Sequence, residues 1–300
     1  MLMNKNLILI GYLLISLSSR AQIVCDSFLI DNHYRVFYFD ESAQNTNNAS
    51  LIFILHGTGG KPQNMIKRTN ALQEEAKKEN IILVYPEGYK NCWNDCRKAS
   101  TVEANRINID ENTFFDKMIT YFKNKYQIDD EKIFAIGFSG GGHMTYKLAM
   151  TMPEKFKAIT AIVANIPDTS NMDCIVKKIP MAVMIVNGTA DPINPYNGGE
   201  VKTDGIVLGN VRSTNETVQY WANIVDGYNT KRQPSKETIM GNDAVDRSAH
   251  IEKEVYKKKN KPEVVLLKVI NGKHEFPTSI DIFLEAWNFF KRQNYSKNKQ

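Results

Sequence analysis

Short, wholly apolar runs alternate along this chain with longer segments whose apolar residues recur every three or four positions. Residues 51–55 and 81–85 carry no charged side chain, the pattern of strands covered on both faces. The same reading predicts strands over 132–136, 158–163, 181–186 and 264–270. Helical patterns lie between them. They cover 63–78, with Leu72 and Ala76 four apart, and 111–126, with Phe114, Met118, Ile119 and Phe122 on one face. Further helices are predicted over 142–152, 214–225 and 280–290, the last with a core stripe of Phe283, Trp287 and Phe290. Ahead of all these, 28–30 and 34–39 read as antiparallel strands joined through Asp31-Asn32. Strands alternating with helices imply βαβ units, hence an α/β fold whose mainly parallel sheet has helices on both faces. Two stretches fit no element: 196–212, with four glycines at Gly198, Gly199, Gly205 and Gly209, and the polar segment 229–261. Both are read as loops, placed to border or cover a site or simply to lie on the surface.

Composition narrows this picture. At 300 residues and 42% hydrophobic, the chain suits one large α/β domain or two small ones, and no twenty-residue apolar stretch spans a membrane. There is no internal repeat and no Pro/Ser-rich linker to an added module. The first 21 residues do not belong to the fold pattern. Lys5 precedes an apolar run over 7–17, and Ser19-Arg20-Ala21 places small residues at the −3 and −1 positions. We read 1–21 as a signal peptide and 22–300 as one catalytic domain, secreted or periplasmic. Cys25 does not make the chain a lipoprotein, because Gln22-Ile23-Val24 lacks the small residues of a lipid-attachment site. The net charge of +5 falls to +3 without Lys5 and Arg20, too little to imply nucleic acid. Cys25, Cys92, Cys96 and Cys174 fit an oxidising compartment. The simplest pairing is a small Cys92–Cys96 clip, with Cys25 joined to Cys174. No second Cys or His pair stands at ligand spacing, so no metal is expected.

The chemistry centres on Gly137-Phe138-Ser139-Gly140-Gly141, which follows a predicted strand and opens a predicted helix. A serine hydroxyl is a poor nucleophile and must stand exposed where a base takes its proton. A sharp strand-to-helix turn does this, and its flanking glycines avoid collision with neighbouring backbone. The same turn aims the first free N–H groups of the helix at developing negative charge.

In a parallel sheet the reacting groups come from the carboxyl ends of strands. Among five histidines, His33 lies in the hairpin turn, His250 in the polar segment, and His143 on the helix behind Ser139. His56 ends a strand but suits a bracing role. That leaves His274, after the strand 264–270, as the base. Asp191 ends the loop after 181–186 and meets the requirement for the acid, whereas Asp168 and Asp173 sit further out. The order Ser, Asp, His is that of the α/β-hydrolase fold. Gly140 supplies one oxyanion donor, and the glycine-rich loop His56-Gly57-Thr58-Gly59-Gly60 offers the N–H of Thr58 as the second.

Taken together, these stretches resemble the esterase family of polyhydroxybutyrate depolymerases and feruloyl or acetylxylan esterases, carbohydrate esterase family 1. The resemblance covers Leu55-His56-Gly57-Thr58-Gly59-Gly60, Tyr85-Pro86-Glu87-Gly88, Cys92-Trp93-Asn94-Asp95, the serine motif, Asn187-Gly188-Thr189-Ala190-Asp191 and Gly272-Lys273-His274. It implies Ser139 as nucleophile, Asp191 as acid, His274 as base and Thr58 with Gly140 as oxyanion hole. It also implies that Trp93 and His56 flank the substrate cleft. Family members often have cysteine where Thr58 stands, and Phe276-Pro277 is a reduced version of an aromatic segment after the base. The expected function is a secreted serine esterase without a cofactor, cleaving feruloyl esters on plant cell-wall polysaccharide. Acetylxylan or a polyhydroxybutyrate polyester is the alternative, so the partner is an ester-bearing carbohydrate or small-molecule ester. A peptidase of the same fold would usually carry a propeller or helical cap, which is not seen. A non-catalytic binding protein would be expected to lack one of the three reactive residues, and all three are present.

Overall fold

Each apolar run is a strand of one sheet and divides its side chains between two cores. A computed structural model describes residues 23–40, 48–203, 205–226, 234–240 and 250–293. The expected signal segment 1–21 lies outside the described residues. In chain order the first elements are β1 (Ile23–Ile30), β2 (His33–Asp40), β3 (Ser50–Leu55), α1 (Pro62–Arg68), α2 (Asn70–Glu79), β4 (Ile81–Pro86), α3 (Glu103–Arg106), α4 (Glu111–Tyr126), β5 (Ile133–Phe138) and α5 (Gly140–Thr151). There follow β6 (Ala158–Ile162), β7 (Ala182–Gly188), β8 (Gly199–Thr203), β9 (Ile206–Val211), α6 (Thr214–Asp226), β10 (Ser235–Met240), β11 (His250–Tyr256), β12 (Val264–Val269) and α7 (Ile282–Lys291).

Among the described residues, ten strands form a sheet in the order β1-β2-β4-β3-β5-β6-β7-β12-β11-β10. The run from β4 to β12 is parallel, and the pairs outside it are antiparallel. Strand alternation explains why the central strands are apolar throughout. In β3, Leu51, Phe53 and Leu55 enter one core, with residues of α4, α5 and α6; Ile52 and Ile54 enter the other, with residues of α1, α2 and α7. β4, β5, β7 and β12 divide in the same way. At the amino-terminal edge, Asp31 and Asn32 both take positive φ (47° and 63°), closing the β1–β2 hairpin through the left-handed turn that matches strand twist.

Three segments depart from the sequence pattern. The helix expected over 63–78 is two helices, broken at buried Thr69, whose Oγ1 lies 3.0 Å from the Met65 carbonyl and 2.7 Å from the Tyr85 hydroxyl. The stretch 196–212 contains the hairpin β8–β9, a separate two-stranded sheet. The segment 229–261 contains β10 and β11, which extend the main sheet beyond β12. Their lysine and glutamate side chains, such as Lys253 paired with Glu285 at 2.9 Å, are those of a charged sheet margin.

Candidate active site

The parallel register brings five strand ends to one edge: Leu55 lies opposite Gly137, Phe138 opposite Ile162, Ile162 opposite Val186, and Gly188 opposite Val269. Ser139 occupies the turn between β5 and α5 with φ 53° and ψ −117°, a conformation unfavourable for a non-glycine residue. Its N–H donates to the Ile162 carbonyl at 2.8 Å, which ties the turn to the neighbouring strand. Space there is minimal. A Cβ on Gly141 would lie 2.5 Å from the Leu55 carbonyl oxygen, so only glycine lets α5 begin so close to β3.

Two other loops are fastened together before they reach the serine. The Thr189 N–H donates to the Val269 carbonyl (2.9 Å), the Ala190 N–H to the Gly272 carbonyl (3.0 Å), and the Asn271 N–H to Thr189 Oγ1 (2.8 Å). A Cβ on Gly188 would come within 2.2 Å of the Gly272 oxygen, so this contact also requires glycine. The loops carry Asp191 and His274. His274 Nδ1 is 2.8 Å from Asp191 Oδ2, and Nε2 is 2.8 Å from Ser139 Oγ. The other carboxylate oxygen of buried Asp191 accepts from the N–H groups of Ile193 (2.8 Å) and Asn194 (2.9 Å). These bonds fix the carboxylate, which in turn orients the imidazole with Nδ1–H toward it and an Nε2 lone pair toward the serine. Asp168 binds Ser170 Oγ and the Asn171 N–H within its own turn, and those hydrogen bonds lower its pKa.

The loop after β3 reaches the same place. A Cβ on Gly140 would lie 2.8 Å from the Thr58 nitrogen, so the two backbones nearly touch beside Ser139. Gly140 opens α5, and its N–H belongs to the first turn, where no intrahelical acceptor exists. His56 is buried and locked. Its Nδ1 lies 2.8 Å from the Gly57 carbonyl oxygen, and its Nε2 accepts the Gly88 N–H at 3.0 Å. Burial lowers its pKa to about 4, so the ring is neutral at neutral pH.

Trp93, expected at the cleft, is only 2% exposed and lies behind the cleft wall. Its ring packs against His56 at 4.9 Å between centroids, and its Nε1–H donates to the His56 carbonyl at 2.8 Å. The segment around it is fixed from several sides. The Asn94 N–H donates to buried Glu111, Lys147 Nζ donates to the Asn94 carbonyl at 2.6 Å, and Asp95 pairs with Arg97 at 2.6 Å.

The disulfide pairing differs from the expected one. Cys96 is bonded to Cys174, while Cys25 and Cys92 are free. An antiparallel bridge between Arg97 and Met172 brings Cys96 and Cys174 together, with 5.1 Å between their Cα atoms. Cys25 faces outward from β1 by strand alternation, and Cys92 packs instead against the small cluster that includes Val102, Ala104 and Ile109. Nearness in sequence misled because these side chains point in different directions.

Two cavities flank the His274 imidazole. One, of about 400 Å³, is lined by His56, Met65, Arg68, Phe138, Glu275 and Phe276. In it Phe138 and Phe276 stack at 4.2 Å, with the Arg68 guanidinium 4.8 Å above Phe276. The other, of about 170 Å³, contains Ser139 and Gly140 and extends to Arg97, His143, Asn194, Val201 and Leu208. The β8–β9 hairpin therefore walls this cavity, whereas β10 and β11 line neither one. Arg97, His143 and Asn194 were not singled out as site residues from the sequence. Their nearness to Cys96, Ser139 and Asp191 was the only available signal. Among the described residues, no group of three or more His, Cys, Asp or Glu could hold a metal, and no helix is long and apolar enough to cross a membrane.

A mainly parallel sheet covered on both faces, with a strand–serine–helix turn at its carboxyl edge, defines the α/β-hydrolase class. Residues 41–217, more than half of the chain, match the phospholipase/carboxylesterase family, and the chain belongs to that family. An acetylxylan esterase from Coprinopsis cinerea is 30% identical over 132 residues, 43% of this chain and 34% of that protein. Feruloyl esterase C from Emericella nidulans is 27% identical over 164 residues, 53% of this chain and 55% of that protein. The chain thus matches about half or less of the length of these curated relatives. Acetyl xylan esterase from Aspergillus awamori has the same fold, with a TM-score of 0.59 at 16% identity, covering 89% of this chain and 99% of that one.

Proposed function

We propose that this chain is a serine carboxylesterase that works through an acyl-enzyme at Ser139. The observation that carries the reading is the continuous hydrogen-bond chain from Asp191 through His274 to Ser139, with 2.8 Å at each link. Ser139 Oγ attacks the ester carbonyl as His274 Nε2 takes its proton. The N–H groups of Thr58 and Gly140 stabilise the oxyanion, each contributing about 3 kcal/mol in the transition state. His274 then protonates the leaving alkoxide, and a water activated by the same nitrogen releases the acid. Asp191 holds the tautomer and stabilises the imidazolium.

Ser139 and Gly140 line only the smaller of the two cavities beside His274, which leaves the larger one, with its Phe138–Phe276 stack, to the alcohol. The acyl group then occupies the cavity at Ser139. Its 170 Å³ equals roughly five or six water volumes of about 30 Å³ each, more room than an acetyl methyl needs. This favours a hydroxycinnamoyl ester such as feruloyl on plant cell-wall polysaccharide. Acetyl is the second reading, motivated by the acetylxylan esterase relative. We further propose that residues 1–21 direct export, a reading consistent with the Cys96–Cys174 disulfide. Rates of ferulate release from methyl ferulate and acetate release from acetylated xylan test the acyl assignment. Faster ferulate release is expected. Acetate release without ferulate release would overturn it.

A further inference from the structure

The small cavity beside Ser139 is apolar along one wall, through Ile193, Val201 and Leu208, and polar where Arg97, His143 and Asn194 meet. All three polar residues are at least nine-tenths buried. Asn194 is 1% exposed, yet neither its amide oxygen nor its amide nitrogen has a hydrogen-bond partner among the described residues. His143 Nδ1 likewise has none. Arg97 meets Asp95 through Nε and Nη2, so its second amino group, Nη1, stands outside that pair. Buried polar groups are ordinarily satisfied, and a cluster of orphans in one cavity calls for a ligand or ordered water.

We infer that Arg97, His143 and Asn194 form a subsite for a hydroxyl group carried on the acyl part of the substrate. The charges exclude a carboxylate. Asp95 already neutralises Arg97, and burial holds His143 uncharged, so the cavity has no net positive charge to offer. The donor and acceptor inventory favours a hydroxyl. Asn194 Oδ1 can only accept, Asn194 Nδ2 and Arg97 Nη1 can only donate, and Nδ1 of the neutral His143 ring does one or the other according to its tautomer. A hydroxyl does both, and a deoxy analogue would leave the Asn194 amide and His143 Nδ1 desolvated and unpaired. The cavity is fixed from outside: the disulfide anchors Cys96 next to Arg97, and the Asn194 N–H is bound to Asp191. The hydroxyl could be the phenol of a hydroxycinnamoyl group or the alcohol of a short hydroxyalkanoyl group.

This inference rests on the esterase reading of Ser139, and its test separates the two. Esters would be compared in pairs: methyl 4-hydroxycinnamate against methyl cinnamate, and methyl 3-hydroxybutyrate against methyl butyrate. One pair should show a kcat/KM ratio of about tenfold or more in favour of the hydroxylated member, and which pair does so identifies the acyl skeleton. Asn194→Leu keeps the backbone N–H that holds Asp191, and should bring that ratio close to one; His143→Leu should do the same. Ratios near one for both pairs in the natural enzyme would overturn the subsite while leaving the esterase intact. A strong ratio that survives both substitutions would overturn it equally. Absence of turnover on every ester would overturn the esterase reading and the subsite with it.

Discussion

Asn194 and His56 show how single buried polar groups set measurable properties. The Asn194 amide is desolvated without partners among the described residues, and an unsatisfied buried group costs about 1–3 kcal/mol. Replacement by leucine, similar in size, should therefore raise stability by about 1 kcal/mol, seen as a Tm a few degrees higher. A lower Tm would mean that cavity water already satisfies the amide. His56 makes a pH-dependent contribution. Its pKa is lowered from 6.5 to about 4 in the folded chain by burial, so the unfolded chain binds the proton first as pH falls. The stability of the neutral, buried ring is intact above pH 6.5 and is lost progressively toward pH 4. At pH 5 the loss from His56 is about 2 kcal/mol, before most carboxylates titrate. His143, whose pKa burial also lowers, adds in the same direction. Urea unfolding at pH 7 and pH 5 measures this; equal stabilities would show that neither ring is held neutral.

At the level of elements, the central strands were legible because burial on both faces leaves no room for polar side chains, as in β3 and β4. The glycine-flanked serine motif led to Ser139 and the carboxyl-end rule to Asp191 and His274, and the three meet in the structure. The break between α1 and α2 was not legible, since it accompanies a tertiary contact from Thr69 to the Tyr85 hydroxyl, far along the chain. β10 and β11 were hidden by the charges that a sheet margin carries, and β8–β9 by the glycines at which its backbone turns to positive φ. The disulfide depended on side-chain direction, which spacing does not encode. It closes a sequence separation of 78 residues, for which chain entropy gives a stabilisation of about 4 kcal/mol. Cys174→Ala should lower stability by about that amount, whereas Cys25→Ser should leave the Tm unchanged. Peptide mapping under non-reducing conditions should recover the Cys96 and Cys174 peptides joined. Recovery of a Cys92–Cys96 loop would contradict the structure.

The whole molecule is organised by its sheet. Register aligns the carboxyl ends of β3, β5, β7 and β12, and the loops that leave them bring Ser139, His274, Asp191 and the Thr58–Gly140 contact to one place. Two cores hold that register from opposite faces, and the Trp93 segment braces the His56 loop from behind. The β8–β9 hairpin then walls the smaller cavity beside Ser139. The central claim, that Ser139 is the nucleophile activated by His274, is tested most directly by mass spectrometry after treatment with a fluorophosphonate. A single adduct mapped to Ser139 is predicted, absent in Ser139→Ala and much slower to form in His274→Ala. Ester turnover should fall at least about 10⁴-fold in Ser139→Ala. An adduct at another residue, or turnover retained in Ser139→Ala, would contradict the account.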